Sequence, residues 1–232
     1  MKLTKKRLKT STPSSAEKVK NDTANTVLLE HHKEFDSIFK PLSGEGERIR
    51  GIEVINPEVK YYKREVLAYE LDCLFGFKIV PITVIAKSPG SIGSRQLWVD
   101  GKGDSKFTAK RNDPEGVVKM IVFDIICGNT DRHRENYLYD SDSKKVWAID
   151  HGLCFSLNNS EFFCTFVPYK IQDDIRNGNM KSSKQYFKKL PVCLQNRIRA
   201  ITKEQFMFHF SKHGLKNEGD LAWARMQEII AA

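Results

Sequence analysis

Residues 113–128 constrain the fold most. Asp113, Pro114 and Gly128 punctuate a helix as N-cap, first-turn proline and stop, and Val117, Val118, Met120, Ile121, Val122, Ile125 and Ile126 make it apolar over most of its surface. Such a helix is buried, so the rest of the chain must wrap around it. It also anchors rigidly whatever leaves its C-terminal end.

What leaves it is Gly128-Asn129-Thr130-Asp131-Arg132-His133-Arg134-Glu135-Asn136, followed by two short aromatic and β-branched runs, Tyr137-Leu138-Tyr139 and Lys145-Val146-Trp147-Ala148-Ile149. The turn-rich Asp140-Ser141-Asp142-Ser143-Lys144 between them predicts a β-hairpin. A hairpin centred on Ser143 puts Asn136 opposite Asp150, with Cβ atoms roughly 4.5–5.5 Å apart. An amide oxygen and a carboxylate at that spacing can share a hard cation. Mg²⁺ needs few protein oxygens and completes its shell with water and phosphates, so one Asn and one Asp suffice for the metal of ATP. Asp131 precedes Asn136 by five positions, the spacing of a catalytic loop in which the Asp takes the proton of an attacking hydroxyl. His133 is a second candidate for that proton, because its unperturbed pKa lies nearest neutrality.

The 232 residues are enough for one domain of two small lobes. We place a basic segment at 1–23, an N-lobe at 24–100 and a mainly helical C-lobe at 101–232. In the N-lobe, 26–29, 35–40, 78–85 and 96–99 predict strands. A helix capped by Asn56, opened by Pro57 and stopped by Gly76 lies among them, and the stretch between Ser11 and Thr23 predicts a loop. Residues 100–104 predict a flexible connection between lobes. In the C-lobe, 183–190, 195–201, 203–212 and 220–230 predict helices. Five widely spaced cysteines predict reduced thiols, without a disulfide framework or a Cys-x-x-Cys zinc site. No apolar run reaches membrane-spanning length, and no apolar stretch follows the basic N-terminus, so a cytoplasmic location is expected. The net charge is +9 and the pI about 9.2. The first twenty residues hold seven Lys or Arg against Glu17 alone, which predicts a solvated terminus in the first place and contact with an anionic membrane or nucleic acid in the second.

Asp131-Arg132-His133-x-x-Asn136 with Ile149-Asp150-x-Gly152 resembles the atypical kinases of the phosphoinositide 3-/4-kinase superfamily. Within it, Asn129-Thr130-Asp131-Arg132, Asn136-Tyr137-Leu138 and Ala148-Ile149-Asp150-x-Gly152-Leu153-x-Phe155 look most like type II phosphatidylinositol 4-kinases and small bacterial relatives. Gly128-Asn129-x-Asp131-Arg132-His133 is also similar to secretory-pathway kinases of proteins and glycans. The likeness covers roughly residues 39–155 and implies a two-lobed α+β protein-kinase-like fold. It further implies that Lys40, in Phe39-Lys40-Pro41, contacts the phosphates of ATP, and that Glu65, in Arg64-Glu65-x-x-Ala68-Tyr69, orients it. Asn136 and Asp150 then hold Mg²⁺, and Asp131, with His133, serves the acceptor hydroxyl.

Two departures shape the expectation. No Gly-x-Gly-x-x-Gly precedes Lys40, so backbone NH groups with the hydroxyls of Ser14 and Ser15 are assigned to cradle the phosphates. The stretch from His151 to Tyr169 carries Phe155, Phe162, Phe163 and Phe166 but no Lys or Arg to meet the phosphates of a polyphosphoinositide. The sequence therefore predicts an ATP- and Mg²⁺-dependent kinase with a protein Ser/Thr acceptor slightly favoured. A phosphatidylinositol kinase and a nucleotide-binding pseudokinase are the alternatives.

Overall fold

The computed structural model describes residues 4–19, 25–45, 60–88, 90–103, 106–157 and 159–231. Five antiparallel strands, β1 (Ser15–Lys18), β2 (Leu28–His31), β3 (Asp36–Pro41), β4 (Thr83–Ser88) and β5 (Ser91–Leu97), form one sheet in the order β1-β2-β3-β5-β4. The period of two along β3 decides what each face does. Ser37 and Phe39 are buried, Phe39 beside Leu8, Val84 and Ala86, while Ile38 and Lys40 line a cleft on the other face. Opposite Lys40 and Pro41, Gly93 of β5 comes so close that a Cβ there would overlap the Lys40 carbonyl oxygen.

Helix α1 (Lys5–Thr10) covers the Phe39 face through Leu8. Fully buried Arg95 fastens it, donating to the Leu8 and Ser11 carbonyls at 3.1 and 2.9 Å while paired with Glu30 at 2.7 Å. The basic terminus expected to be solvated is thus folded from Lys5 onward, because one leucine and a buried arginine give it something to pack on. The loop expected between Ser11 and Thr23 contains β1.

Helix α2 (Tyr61–Phe75) ends at Gly76, at φ +78°, as expected. Its start differs: Lys60 is extended, so the helix begins at Tyr61, and Asn56 and Pro57 lie outside the described residues. Although it falls within the N-lobe sequence, α2 buries Leu67, Leu71 and Phe75 in the large core of the helical lobe. Phe75 meets Phe123 and Phe206 at ring-centroid distances of 6.2 and 6.3 Å.

The C-lobe begins with α3 (Lys106–Asn112), beyond the expected connection, and α4 (Pro114–Cys127). Asp113 caps α4, its Oδ1 accepting from the Gly116 amide at 2.8 Å, and Gly128 closes it at φ +57°. Its apolar residues are buried as expected, Val118 only in part. The hairpin follows as β6 (Tyr137–Asp140) and β7 (Lys145–Ala148), then α5 (Tyr169–Arg176), α6 (Lys184–Lys188), α7 (Val192–Arg199), α8 (Lys203–His213) and α9 (Lys216–Ile230). These last helices match the expected ones with shifted ends, and α3 and α5 are additional. The result is a two-lobed α+β fold. Among the described residues no helix is long and apolar enough to cross a membrane, and the five cysteines are free, with Cys127, Cys154 and Cys164 buried.

The hairpin register corrects the sequence expectation by one residue. Asp140 pairs with Lys145 and Tyr137 with Ala148, so Asn136 stands opposite Ile149, whose amide donates to the Asn136 carbonyl at 3.1 Å. The cause lies in the turn. Asp140 Oδ1 accepts the amides of Asp142 and Ser143, and Lys144 takes φ +52°, which closes a four-residue loop with no residue at its centre. Asp150 lies just past the paired residues, turned by a φ of +55°.

Candidate active site

A cleft of about 1020 Å³ separates the lobes, with Lys40, Glu65, Asp131, His133, Asn136 and Asp150 among its lining residues. The sequence had brought these six together from three distant segments, and the fold gathers all of them.

Lys40 is the hub. Its Nζ donates to Glu65 Oε1 at 2.5 Å and to Asp150 Oδ1 at 3.0 Å. Burial alone would lower its pKa, but the carboxylates of Asp150 and Glu65 overcome that and raise it, so the ammonium is permanent. Glu65 is buried, and the desolvation raises its pKa against the opposing pull of Lys40. Its second oxygen accepts the His151 amide at 3.0 Å, which fixes the carboxylate from both sides. Crowding in the cleft pushes the Asp150 carboxyl up, Lys40 pulls it down more strongly, and it settles at about 2. Yet 53% of the Asp150 side chain is open, so water screens this contact and it adds little to stability. The exposed carboxylate is correspondingly accessible to a cation.

Asn136 faces Asp131. Its Nδ2 donates to the Asp131 carbonyl at 2.7 Å and to Asp131 Oδ2 at 3.3 Å, which turns its Oδ1 the other way. Asn136 Oδ1 and the Asp150 carboxylate are hard oxygen donors and fit Mg²⁺ or a similar divalent ion carrying phosphates. Among the described residues no group of three or more His, Cys, Asp or Glu is arranged to hold a metal without such help. His133 Nδ1 accepts the Glu135 amide at 3.1 Å, which leaves the proton on Nε2, 3.6 Å from Asp131 Oδ2. In that tautomer His133 presents a donor to Asp131, and the Asp131 carboxylate is the acceptor of the loop.

Ser14 and Ser15 are not at the cleft. Ser14 Oγ donates to the His31 carbonyl at 2.9 Å and Ser15 opens β1, at the end of the β1–β2 hairpin remote from its turn. The cleft is roofed by the other end of that hairpin, with Glu17, Lys18, Val19, Asn25, Thr26 and Val27 among its lining. The assignment of the two serines is corrected accordingly. A strand hidden in the expected loop had moved the turn downstream, and residues 20–24 of that turn lie outside the described residues.

Two supporting residues escaped the sequence reading. Asp124 and Arg132 are both completely buried. Arg132 Nε and Nη2 donate to Asp124 at 2.9 and 3.0 Å, and Nη1 donates to the Ile149 carbonyl at 2.7 Å and also to the Asn136 carbonyl. Arg132 thereby ties together the backbones on which the Asn136 and Asp150 side chains sit. Asp124 also accepts Asn129 Nδ2 at 2.8 Å, which sets the start of the loop. A signal was available: a lone acid at the C-terminal end of an apolar helix opposes the helix dipole and needs a buried cation. Arg132 further donates to His151 Nε2 at 2.9 Å, and burial, then the Arg132 charge, hold that imidazole neutral.

The segment after Asp150 is met by side chains from elsewhere in the chain. It carries no cation itself, but others reach it: Arg176 donates to the Phe162 carbonyl, Arg225 to that of Ser156, and Lys110 lines a groove with Phe163, Thr165 and Tyr169. Phe155, Phe162 and Phe166 are buried and belong to the lobe core.

The two-lobed fold is kinase-like. Residues 14–211 match the family model described as phosphatidylinositol 3- and 4-kinase, and the chain belongs to that family. It is 30% identical over 158 residues to Protein Rv2133c of Mycobacterium tuberculosis, covering 53% of this chain and 55% of that protein. It is 35% identical over 146 residues to phosphatidylinositol 4-kinase gamma 4 of Oryza sativa subsp. japonica, covering 54% of this chain and 25% of that protein. The chain thus spans about half the length of the first relative and a quarter of the second. Its fold resembles the Golgi casein kinase solved with Mn and ADP bound, with a TM-score of 0.57 at 14% identity over 97% of this chain and 73% of that one.

Proposed function

We propose that the chain transfers the γ-phosphoryl group of Mg²⁺-ATP to a hydroxyl, with a protein Ser or Thr as the favoured acceptor. The observation that carries this is the single ammonium of Lys40, paired at once with Glu65 and Asp150 across the mouth of the Asp131–Asn136 loop. Val27, Leu29, Ile38 and Leu97 above, with Leu138, Ile149 and Leu153 below, give an apolar slot for the purine. Lys40 meets the phosphates, and Glu65 keeps it oriented. Asn136 Oδ1 and the Asp150 carboxylate would hold the metal, which would supply charge neutralisation to the phosphates. The Asp131 carboxylate receives the proton of the acceptor hydroxyl, and the His133 Nε2–H steadies that carboxylate. Catalysis then rests on positioning and fixed charge.

Residues 151–169 carry no Lys or Arg, and of the cations that reach them Arg176 and Arg225 donate to backbone carbonyls, which leaves Lys110 in the groove and supports a protein acceptor over a polyphosphorylated lipid headgroup. The phosphatidylinositol 4-kinase names of the plant relatives support unphosphorylated phosphatidylinositol as the second reading. A competition separates them. The chain is given Mg²⁺ and γ-labelled ATP with a Ser/Thr peptide library and phosphatidylinositol vesicles in one tube. Label on peptide is expected, and label confined to lipid overturns the favoured reading.

A further inference from the structure

Arg64 lies one residue before Glu65 and points into the helical lobe. It is completely buried. Its Nη1 donates to the carbonyls of Cys154 and Phe155 at 2.5 and 3.0 Å, and its Nη2 to Glu218 Oε1 of α9 at 3.4 Å. Phe155 is buried at φ +65°, a backbone state that a bulky residue keeps only when its surroundings hold it. Arg64 grips the carbonyl of that residue. Glu218, itself 1% exposed, supplies the charge a buried guanidinium needs.

The same helix grips the segment a second time. Arg225 follows Glu218 by seven positions, hence on the same face of α9. Its Nε donates to Asn159 Oδ1 at 2.7 Å and its Nη2 to the Ser156 carbonyl at 2.8 Å. Two arginines, one from α2 and one from α9, thus hold Cys154, Phe155, Ser156 and Asn159, only a few residues beyond Asp150. Helix α2 has further ties to the helical lobe. Glu70 accepts from His209 and His213 at 3.2 and 3.1 Å and from Lys212, all on α8. Arg197 of α7 donates to the Cys73 and Leu74 carbonyls at 3.0 and 2.9 Å.

We infer that Arg64 and Glu218 are positioning residues for phosphoryl transfer: they fix the Glu65 helix against the segment after Asp150, so that Glu65 and Asp150, the two acceptors of the Lys40 ammonium, keep their mutual geometry. The inference rests on the phosphotransfer reading of the cleft. Lys40 rides on the sheet, and a Glu65 helix that belonged mechanically to the sheet as well would be drawn away from the His151 amide and Asp150 whenever that lobe tilted. Here the helix is fastened to α7, α8 and α9, and the lobe that carries Asp131 carries Glu65 with it.

The test compares the wild-type chain with Glu218→Gln and Glu218→Asp by hydrogen exchange, thermal melting and γ-phosphate transfer. The His151 amide, bonded to Glu65 Oε2, and those of Cys154 and Phe155, bonded to the carbonyls of His151 and Cys127, report the segment directly. Glu218→Gln is expected to exchange there about tenfold faster with residues 137–148 unchanged, while kcat falls about tenfold or more and the KM for ATP moves less than about threefold. Glu218→Asp is expected to restore part of both. Should Glu218→Gln fail to fold, Arg64→Lys, which keeps the charge but not the forked donation, is read in the same way. Exchange that stays unchanged, or rises evenly along the chain with kcat following the folded fraction, overturns the inference. Exchange is read whether or not an acceptor is phosphorylated, so failure of this inference and failure of the kinase reading are separable.

Discussion

Arg132 and Asp124 meet through two parallel hydrogen bonds, Nε to Oδ2 at 2.9 Å and Nη2 to Oδ1 at 3.0 Å, and neither residue is exposed to solvent. The pair joins the end of the buried helix α4 to the loop that carries Asp131. Removing one charge strands the other. Asp124→Asn, which keeps the shape, should therefore cost about 3–5 kcal/mol of folding stability, read as a lowered midpoint in denaturant unfolding. A loss below about 1 kcal/mol, the scale of an exposed pair, would show that the buried ion pair does not hold this loop.

Lys40 is paired with two carboxylates in the cleft. Lys40→Met should leave the chain folded and reduce kcat about 10²–10³-fold, the usual effect of removing one fixed charge from a transition state. It should also let the Asp150 carboxyl climb from about 2 as its cation is lost. Steady-state kinetics and carboxylate NMR titration read the two effects.

The Glu135 amide on His133 Nδ1 turns Nε2 toward Asp131 Oδ2, which favours Asp131 as the proposed base with His133 as its support. Asp131→Asn should lower single-turnover phosphoryl transfer about 10²–10⁴-fold. His133→Gln, which retains a donor, should lower it by no more than about tenfold. The reverse ranking would move the proton to the histidine.

Asp72, 1% exposed on α2, accepts the Ile79 amide at 3.1 Å, yet burial raises its pKa from 3.8 to about 6. The protonated form is the one the fold prefers. Its contribution is complete below about pH 3.8 and is lost as the pH rises through about 6. Asp72→Asn is neutral throughout. The stability of this variant relative to wild type should therefore be greater at pH 7.5 than at pH 4, by roughly 3 kcal/mol for a shift of that size. Paired urea unfolding curves at the two pH values measure it, and a difference independent of pH would contradict the assignment.

The helix around Met120 and the place of its following loop in the cleft were legible because the signals are local: a cap, a proline, a stop, and charged residues at fixed spacing. Lys40 and Glu65 were legible only through likeness, since nothing in a strand lysine or a helix glutamate announces that they meet across 25 positions. What escaped was set by non-local packing or by turn geometry. The hairpin register depended on how Asp140 closes its turn. The misplaced roof of the cleft depended on β1, four exposed residues whose only reason to be extended is pairing with β2. The roles of Arg132, Arg64 and Glu218 required knowing which carbonyls and charges the fold brings to them.

Transfer of the terminal phosphoryl group of ATP to a hydroxyl is the proposed reaction, with Asn136 and Asp150 as the residues that would hold its metal. The most direct measurement gives the chain Mg²⁺ with ATP labelled in turn on the γ- and the α-phosphate, beside Asp150→Ala, with generic protein and phosphatidylinositol vesicles as acceptors. Label from the γ position alone, abolished in Asp150→Ala, is the predicted result. Label from the α position would mean adenylyl transfer, and tight ATP binding with no transfer from either position would mark a nucleotide-binding module without the chemistry.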